Sequence, residues 1–160
     1  MVELMVVLAI VGILTTIAVP SFRETINRQK LSAASGDLYA AIILTRSEAI
    51  RRGARADLNA AGTTWAGGWT VTVPSATGAA TLIQRHGPVG NGVIIDPPAF
   101  GTTLSYDGSG RASMVGNTQS ITTGLWNIRV TGSTQRRVLS INAIGRPLLC
   151  DPATSPNCPQ

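Results

Sequence analysis

The chain has 160 residues, of which 13 are Lys or Arg and 8 are Asp or Glu, so its formal net charge is +5. A basic excess of this size permits nucleic acid or an anionic surface as a partner but requires neither. Only 4% of the residues are aromatic and 17 are glycine, a composition that argues against a helical bundle and favours short strands joined by turns.

The first 53 residues are predicted to form one long helix with two different halves. Residues 4–22 carry no charge, and these 19 residues would span roughly 28 Å as a helix, close to the hydrocarbon thickness of a bilayer. After Arg23 the apolar positions narrow to one stripe, formed by Leu31, Leu38, Ile42 and Ala49 with Ala34 and Ala41 beside them. We therefore predict a transmembrane helix half over 1–22, an amphipathic half over 23–53 and a β-rich globular domain over 54–160.

A cleaved secretory signal is the alternative interpretation of residues 1–18. No basic residue precedes the apolar run, the run is long, and the amphipathic stripe continues from it without a break. We therefore predict a retained anchor. Arg23, Arg28 and Lys30 then lie on the extracytoplasmic side, against the usual orientation bias.

Glu3 is the charged residue that directly precedes the apolar run. A carboxylate at the membrane-inserted end of a helix is costly without a partner, so such a residue normally has a partner or a function. We predict an assembly role for Glu3. The alternative is a side chain that simply lies in the headgroup region.

The order Glu3-Leu4-Met5-Val6-Val7-Leu8-Ala9-Ile10, followed by Pro20 and a polar helix, resembles the N-terminus of type IV pilins and type II secretion pseudopilins. The resemblance implies a basic leader cut by a prepilin peptidase, and a glutamate at the fifth mature position, which Glu3 matches. We expect the leader and the first two mature residues to be missing here. The resemblance further implies a single-pass protein of the bacterial inner membrane with a periplasmic C-terminal domain, later part of a pilus or pseudopilus.

The segment from Ile43 to Gly53 resembles the Ala-Arg-Ser-Glu-Ala segment of the GspH/FimT family of minor pilins and pseudopilins, with Thr45 replacing the first alanine. A spacing of four predicts an ion pair between Glu48 and Arg52. Cations in the last turn interact favourably with the helix dipole and stabilise the helix. Gly53 can take the positive φ that is common at a helix end. We expect only solvation, capping and local pairing from the charged residues of this segment, Arg46, Glu48, Arg51 and Arg52.

Beyond the helix, residues 54–61 are predicted to form a connector. Alternation and turn residues predict a strand at the end of segment 65–73, before Pro74, and further strands over 80–85, 92–95, 103–106, 120–123, 125–131 and 136–142, the last two as a hairpin. The Trp-x-x-Gly-Trp form of residues 65–69 again resembles the GspH/FimT domain, and we predict core packing for Trp65 and Trp69 in preference to ligand stacking. The predicted fold class is α+β, a pilin fold with the long helix packed on antiparallel β-sheet.

Little in the sequence points to catalysis. His86 is the only histidine and has no second ligand type spaced with it for a metal, so we predict a loop histidine. Gly108-Ser109-Gly110 is too short for a phosphate loop and lacks the strand-to-helix context of a nucleophile elbow. We expect no enzymatic function, no cofactor and no metal site.

Arginine is the only charged residue type between Asp107 and Asp151, where Arg111, Arg129, Arg136, Arg137 and Arg146 occur. On one face they would form a basic patch for phosphates, and ordinary solvated arginines are the alternative. Some FimT-type pilins bind DNA through a C-terminal Gly-Arg-x-Arg motif, whose second arginine is absent from Gly145-Arg146-Pro147-Leu148. DNA binding through Arg136, Arg137 and Arg146 is therefore an alternative that we do not favour.

Cys150 and Cys158 are the only cysteines, separated by a short Pro-containing spacer. An even count with such a spacer suits a disulfide in an oxidising compartment, whereas a CxxC metal or redox motif has a closer pair. We predict a disulfide loop, which minor pilins of the resembled type often carry.

The resemblance implies a structural subunit, a minor pilin or pseudopilin that helps to initiate or cap a type IV pilus or a type II secretion pseudopilus. Its implied partners are other minor subunits and the major subunit, reached through the N-terminal helix, together with the prepilin peptidase and the inner membrane. The alternatives are a DNA-binding minor pilin acting in natural transformation and a free-standing anchored periplasmic domain.

Overall fold

The computed structural model describes residues 2–75, 78–114, 117–120, 124–142 and 144–159, the side chains of 15–21, 114 and 117–120 excepted. Helix α1 covers Val2–Arg52, and one turn of 3-10 helix covers Trp65–Gly67. The strands are β1 Ala56–Ala60, β2 Trp69–Val73, β3 Thr81–His86, β4 Val93–Asp96, β5 Thr103–Tyr106, β6 Ala112–Met114, β7 Asn117–Ser120, β8 Gly124–Val130, β9 Arg136–Ile141 and β10 Pro147–Cys150.

The strands of the described residues form two sheets. One has six strands in the order β3-β2-β1-β5-β6-β7, and the other has four in the order β10-β9-β8-β4. Every strand pairing is antiparallel. Helix α1 contacts strands of both sheets, so its packed half closes the core from one side.

The predicted helix is confirmed over Val2–Arg52, and it ends directly before Gly53. Gly53 has a φ of 59°, a left-handed conformation that costs glycine little. Its N–H donates to the carbonyl of Ile50 at 3.2 Å, and the N–H of Ala54 donates to the carbonyl of Ala49 at 3.2 Å. These two bonds are the Schellman pattern, which satisfies carbonyls that a helix end leaves free.

The apolar stripe of the second helix half is buried as predicted. Its larger members, Leu38 and Ile42, are 0% exposed, and the stripe as a whole comprises Leu31, Ala34, Leu38, Ala41, Ile42 and Ala49. A spacing of three, four and seven puts these residues on one helix face, and that face meets the sheets.

The centre of the core is aromatic. The ring of Trp126 in β8 meets the ring of Trp65 edge-on, with 5.4 Å between the ring centroids. The ring of Phe100 also meets the Trp126 ring edge-on, with 5.2 Å between the centroids. Trp65 also donates its indole N–H to the carbonyl of Gly101 at 3.1 Å. The predicted core positions of Trp65 and Trp69 are confirmed, since both are buried.

The predicted hairpin is confirmed as β8 and β9, where Trp126 lies opposite Leu139 and Ile128 opposite Arg137. Trp126, Ile128 and Val130 are buried, and the residues between them are at least partly exposed. This alternation places one face of the pair on the core.

The predicted connector over 54–61 is wrong, because residues 56–60 form strand β1. This strand pairs with β2 on one side and β5 on the other, so both its edges are satisfied. Its sequence, Ala-Asp-Leu-Asn-Ala, lacks the β-branched residues that mark a strand. Pairing on both sides, with Ala56 and Leu58 fully buried, overrides that weak local preference.

Most other predicted strands correspond to observed ones within two residues, and the strand over 103–106 matches β5 in full. The strand predicted over 120–123 falls largely outside the described residues, and only its first residue belongs to β7. Strands β6 and β10 were not predicted. Both are short, and β10 begins with Pro147, which cannot donate to a ladder.

Candidate functional site

The N-terminal half of α1 presents apolar side chains in every direction. All side chains from Val2 to Leu14 are exposed, and the large hydrophobic ones among them are between 49% and 75% exposed. Consecutive residues such as Leu4, Met5 and Val6 point around the whole helix circumference, so this surface is not a stripe. In the part of the chain that the structure describes, the packed helix half is covered by the sheets, whereas these side chains stay exposed.

Glu3 lies in the first turn of α1 and is exposed. Its carboxylate makes no ion pair with any described residue. Of the residues that the structure describes, none belongs to a helix long and apolar enough to cross a membrane.

The C-terminal end of α1 carries a local charge cluster. The Glu48 carboxylate accepts hydrogen bonds from Arg51 Nη2 at 2.6 Å and from Arg52 Nε at 2.9 Å. The predicted pair of Glu48 with Arg52 is therefore present, and Arg51 joins it. Hydrogen bonds from Arg51 and Arg52 lower the pKa of Glu48 to about 2, so the carboxylate stays ionised throughout the neutral range.

Arg46 departs from the local role expected for it. Its Nε donates to the carbonyl of Gly110 at 3.0 Å, and its Nη2 donates to the carbonyl of Ile144 at 3.3 Å. These acceptors lie 64 and 98 residues away along the chain, in two different loops. Arg46 therefore fastens the packed helix half to the β5–β6 turn and to the loop before β10.

The arginine candidates for DNA binding divide between two places. Arg136 and Arg137 line one groove, of about 770 Å³, together with Arg28 of α1. Arg146 lines a different groove, beside Tyr39 and Leu148. Of the two remaining arginines, Arg129 pairs with Asp96 at 3.2 Å, and Arg111 borders the β5–β6 turn.

The predicted loop position of His86 is wrong, because His86 is the last residue of β3. Its ring stacks on that of Trp69, with centroids 4.3 Å apart and planes 9° from parallel. Its Nε2 lies 3.3 Å from the Asp37 carboxylate of α1. His86 thus connects the edge of the six-stranded sheet to the helix. The sequence does not reveal either contact, because Asp37 and Trp69 are distant from His86 along the chain.

The C-terminal loop is closed by a disulfide between Cys150 and Cys158, as predicted. Cys158 is buried, and Cys150 lies opposite Val138 of β9. The loop also carries Asp151, whose carboxylate is 3.3 Å from Arg137 Nη1. The disulfide therefore holds one wall of the groove that Arg136 and Arg137 line.

No curated protein matches the chain in sequence. The family described as "Type II transport protein GspH" matches residues 34–145, which is 112 of the 160 residues. The chain belongs to the GspH family. The GspH match extends from the packed half of α1 through β9, and it contains Arg46, Glu48, Trp65 and Trp69.

This GspH-family chain shares its fold with solved minor pilins and pseudopilins. Two crystal structures of the type IV minor pilin FimU of Pseudomonas aeruginosa give TM-scores of 0.66 and 0.62 at 23% and 24% identity. They cover 82% and 80% of this chain and 96% and 98% of theirs. The minor pseudopilin EpsH of the Type 2 Secretion System of Vibrio cholerae gives a TM-score of 0.59 at 15% identity. The match covers 77% of this chain and 98% of the EpsH chain. The predicted pilin fold is confirmed.

Sequence reasoning missed Arg28 as a neighbour of Arg136 and Arg137. The available signal was the basic trio of Arg23, Arg28 and Lys30 directly after the apolar run. In the predicted membrane orientation these charges run against the usual bias, which would indicate a second constraint on their positions. Which groups these three side chains contact depends on which loops pack beside the helix.

Proposed function

We propose that this GspH-family protein is a minor pilin or pseudopilin, a structural subunit that helps to initiate or cap a type IV pilus or a type II secretion pseudopilus. In this proposal the N-terminal helix half spans the inner membrane before assembly, and the globular domain lies in the periplasm. After assembly the same helix half packs among the helices of neighbouring minor and major subunits.

The uncovered apolar half of α1 is the observation that carries this proposal. Burying a large aliphatic side chain is worth roughly 1.5–3 kcal/mol, so a run of such side chains in water is strongly unfavourable. A single partner groove would require one apolar stripe, whereas this surface extends around the helix. Lipid before assembly, and several neighbouring helices after it, each surround a helix on all sides.

Glu3 supplies the specific contact in this proposal. A carboxylate at the end of an apolar helix needs a positive partner in a medium of low polarity. The N-terminal amine of an adjacent subunit supplies such a charge when helices bundle side by side. Glu3 would then select helices that arrive in the matching axial position.

The test is copurification of the membrane-extracted protein with the other minor subunits of the same filament system. Glu3→Gln is expected to insert and fold but to lose copurification, because the charge is gone while the side-chain shape is kept. Glu3→Asp should retain part of it, and Glu48→Gln, at the other end of the helix, should retain all of it. Normal copurification of Glu3→Gln would contradict the proposed role.

DNA binding is the second candidate, and the shared groove of Arg136 and Arg137 favours it. DNA affinity should then fall steeply with salt, since each neutralised phosphate releases a counterion. Replacing Arg136, Arg137 and Arg146 with Ala would flatten the salt slope by up to about three units. Because Arg146 lies in another groove, we expect a smaller change in the slope, and duplex titrations at several salt concentrations measure it.

A further inference from the structure

One end of the globular domain is built around residues 24–30 of α1. Lys30 Nζ donates to the carbonyl of Asn91 at 3.1 Å, in the loop between β3 and β4. Gln135 Nε2 donates to the Glu24 carboxylate at 2.9 Å, from the turn between β8 and β9. Both loops therefore lie beside the helix just before Leu31, the first buried apolar residue among the helix side chains that the structure describes. The exposed apolar half of α1 leaves the domain from this end.

The groove at this end carries three guanidinium groups. Arg28 pairs with Glu24 at 2.7 Å, where both side chains are more than half exposed, and Arg137 pairs with Asp151 at 3.3 Å. Arg136 has no ion pair or side-chain hydrogen bond among the described residues. The exposed pair of Arg28 and Glu24 contributes little, so an incoming anion competes with it at small cost. Ser32, Thr134 and Thr154 also line the groove.

The groove lies close to where a membrane surface would be. Phe22 is the last residue of the charge-free stretch, and Arg28 follows six residues later, roughly 9 Å along the helix axis. Helical side chains tilt toward the N-terminus, and Arg28 does so, since its guanidinium reaches back to Glu24. A headgroup layer is about 5–8 Å thick on each side of the hydrocarbon, so the Arg28 guanidinium reaches it.

We propose that this groove binds the phosphate of an anionic membrane lipid and holds the domain against the membrane before assembly. The proposal rests on the membrane placement of the helix given under the proposed function. Guanidinium groups suit phosphate because they donate two parallel hydrogen bonds to its oxygens. Anionic headgroups also account for three basic residues, Arg23, Arg28 and Lys30, on the side that the orientation bias disfavours.

The experiment uses the full chain in neutral detergent, titrated with phosphatidylglycerol or phosphatidylcholine and observed by native mass spectrometry. The groove variant is Arg28→Gln/Arg136→Gln. The control is Arg51→Gln/Arg111→Gln, because both of these residues lie near the opposite end of α1. Each double variant removes two positive charges, from +5 to +3, so a general charge effect would appear in both.

We expect phosphatidylglycerol to bind several-fold more tightly than phosphatidylcholine. A basic residue near an anionic surface raises affinity roughly fivefold, so the groove variant should lose up to about 25-fold and the control should lose little. Equal binding of the two lipids, or equal losses in the two variants, would overturn the proposal. So would displacement of phosphatidylglycerol by a short DNA duplex or by millimolar inorganic phosphate, since either would show that the site does not select lipid.

Insertion into neutral vesicles tests the lipid groove and the membrane placement of the helix separately. A chain that resists extraction from phosphatidylcholine vesicles but shows no preference for phosphatidylglycerol refutes the lipid groove alone. A chain that does not insert into phosphatidylcholine vesicles refutes the membrane placement and the lipid groove together.

Discussion

The two halves of α1 contain similar apolar side chains in very different surroundings. Leu8 is 62% exposed, whereas Leu38 is fully buried against the sheets. Both belong to one uninterrupted helix, because backbone hydrogen bonds and local propensity maintain a helix whatever covers it. What differs is the distribution of apolar residues, which is all-round in the first half and one-sided in the second. The helix therefore joins a part with exposed apolar side chains to a part whose apolar side chains are buried against the sheets.

Truncation should give the largest difference between the halves. Deletion through Lys30 keeps the stripe from Leu31 onward, so the remaining domain should stay soluble and melt cooperatively. Deletion through Gly53 should cause aggregation, because strands β1 and β8 would lose the helix that they contact and expose apolar surface. Light scattering and thermal melts of the two fragments measure this. A soluble, folded fragment lacking residues 1–53 would show that the sheets do not need the helix.

Matched leucine substitutions should give the next largest difference. Leu38→Ala should lower the free energy of unfolding by about 2–5 kcal/mol, because it removes buried methyl groups and leaves a cavity. Leu8→Ala should change it by no more than about 0.5 kcal/mol, because its side chain is exposed. Denaturant unfolding of the full chain in mild detergent compares the two. Equal losses would mean that the N-terminal half also packs within the chain.

Arg46 tests how the packed half is fastened to the loops. Arg46→Ala should lower the free energy of unfolding by about 1–3 kcal/mol, since hydrogen bonds from a charged donor to two loop carbonyls are lost. Arg46→Lys should restore only part of the loss, because one ammonium cannot reproduce the fork of Nε and Nη2. Arg52→Ala is the control, as its bond is local. If Arg46→Ala and Arg52→Ala have the same effect, the long-range bonds contribute nothing.

Acid titration at the end of the packed half should give the smallest effect. The pKa of Glu48 in the folded protein is about 2, whereas a glutamate in an unfolded chain titrates near 4.3. A depressed folded pKa means that Glu48 stabilises the fold above the unfolded value. That contribution should be lost as the pH falls from about 4 to 2. The difference in stability between the wild type and Glu48→Gln should therefore shrink over this window. A difference that stays constant would indicate that the pairing with Arg51 and Arg52 is not maintained.

The sequence by itself determined the extent of α1, its buried stripe and its end at Gly53. These features depend on residues within one or two helical turns of each other, so their signal is periodic and local. The hairpin of β8 and β9 was predictable for the same reason, because its alternation and its turn lie within a short segment. The two tryptophans of the Trp-x-x-Gly-Trp form were also correctly placed in the core.

The tertiary structure alone decided the role of residues whose partners are distant in the chain. Strand β1 exists because β2 and β5 pair with it on both sides, and its own composition gives no sign of this. Arg46 and His86 acquire their contacts only when loops and strands from elsewhere reach the helix. The groove of Arg28 and Arg136 likewise joins residues 108 positions apart. Local pattern cannot specify such contacts, because they are set by which surfaces the folded sheets bring against the helix.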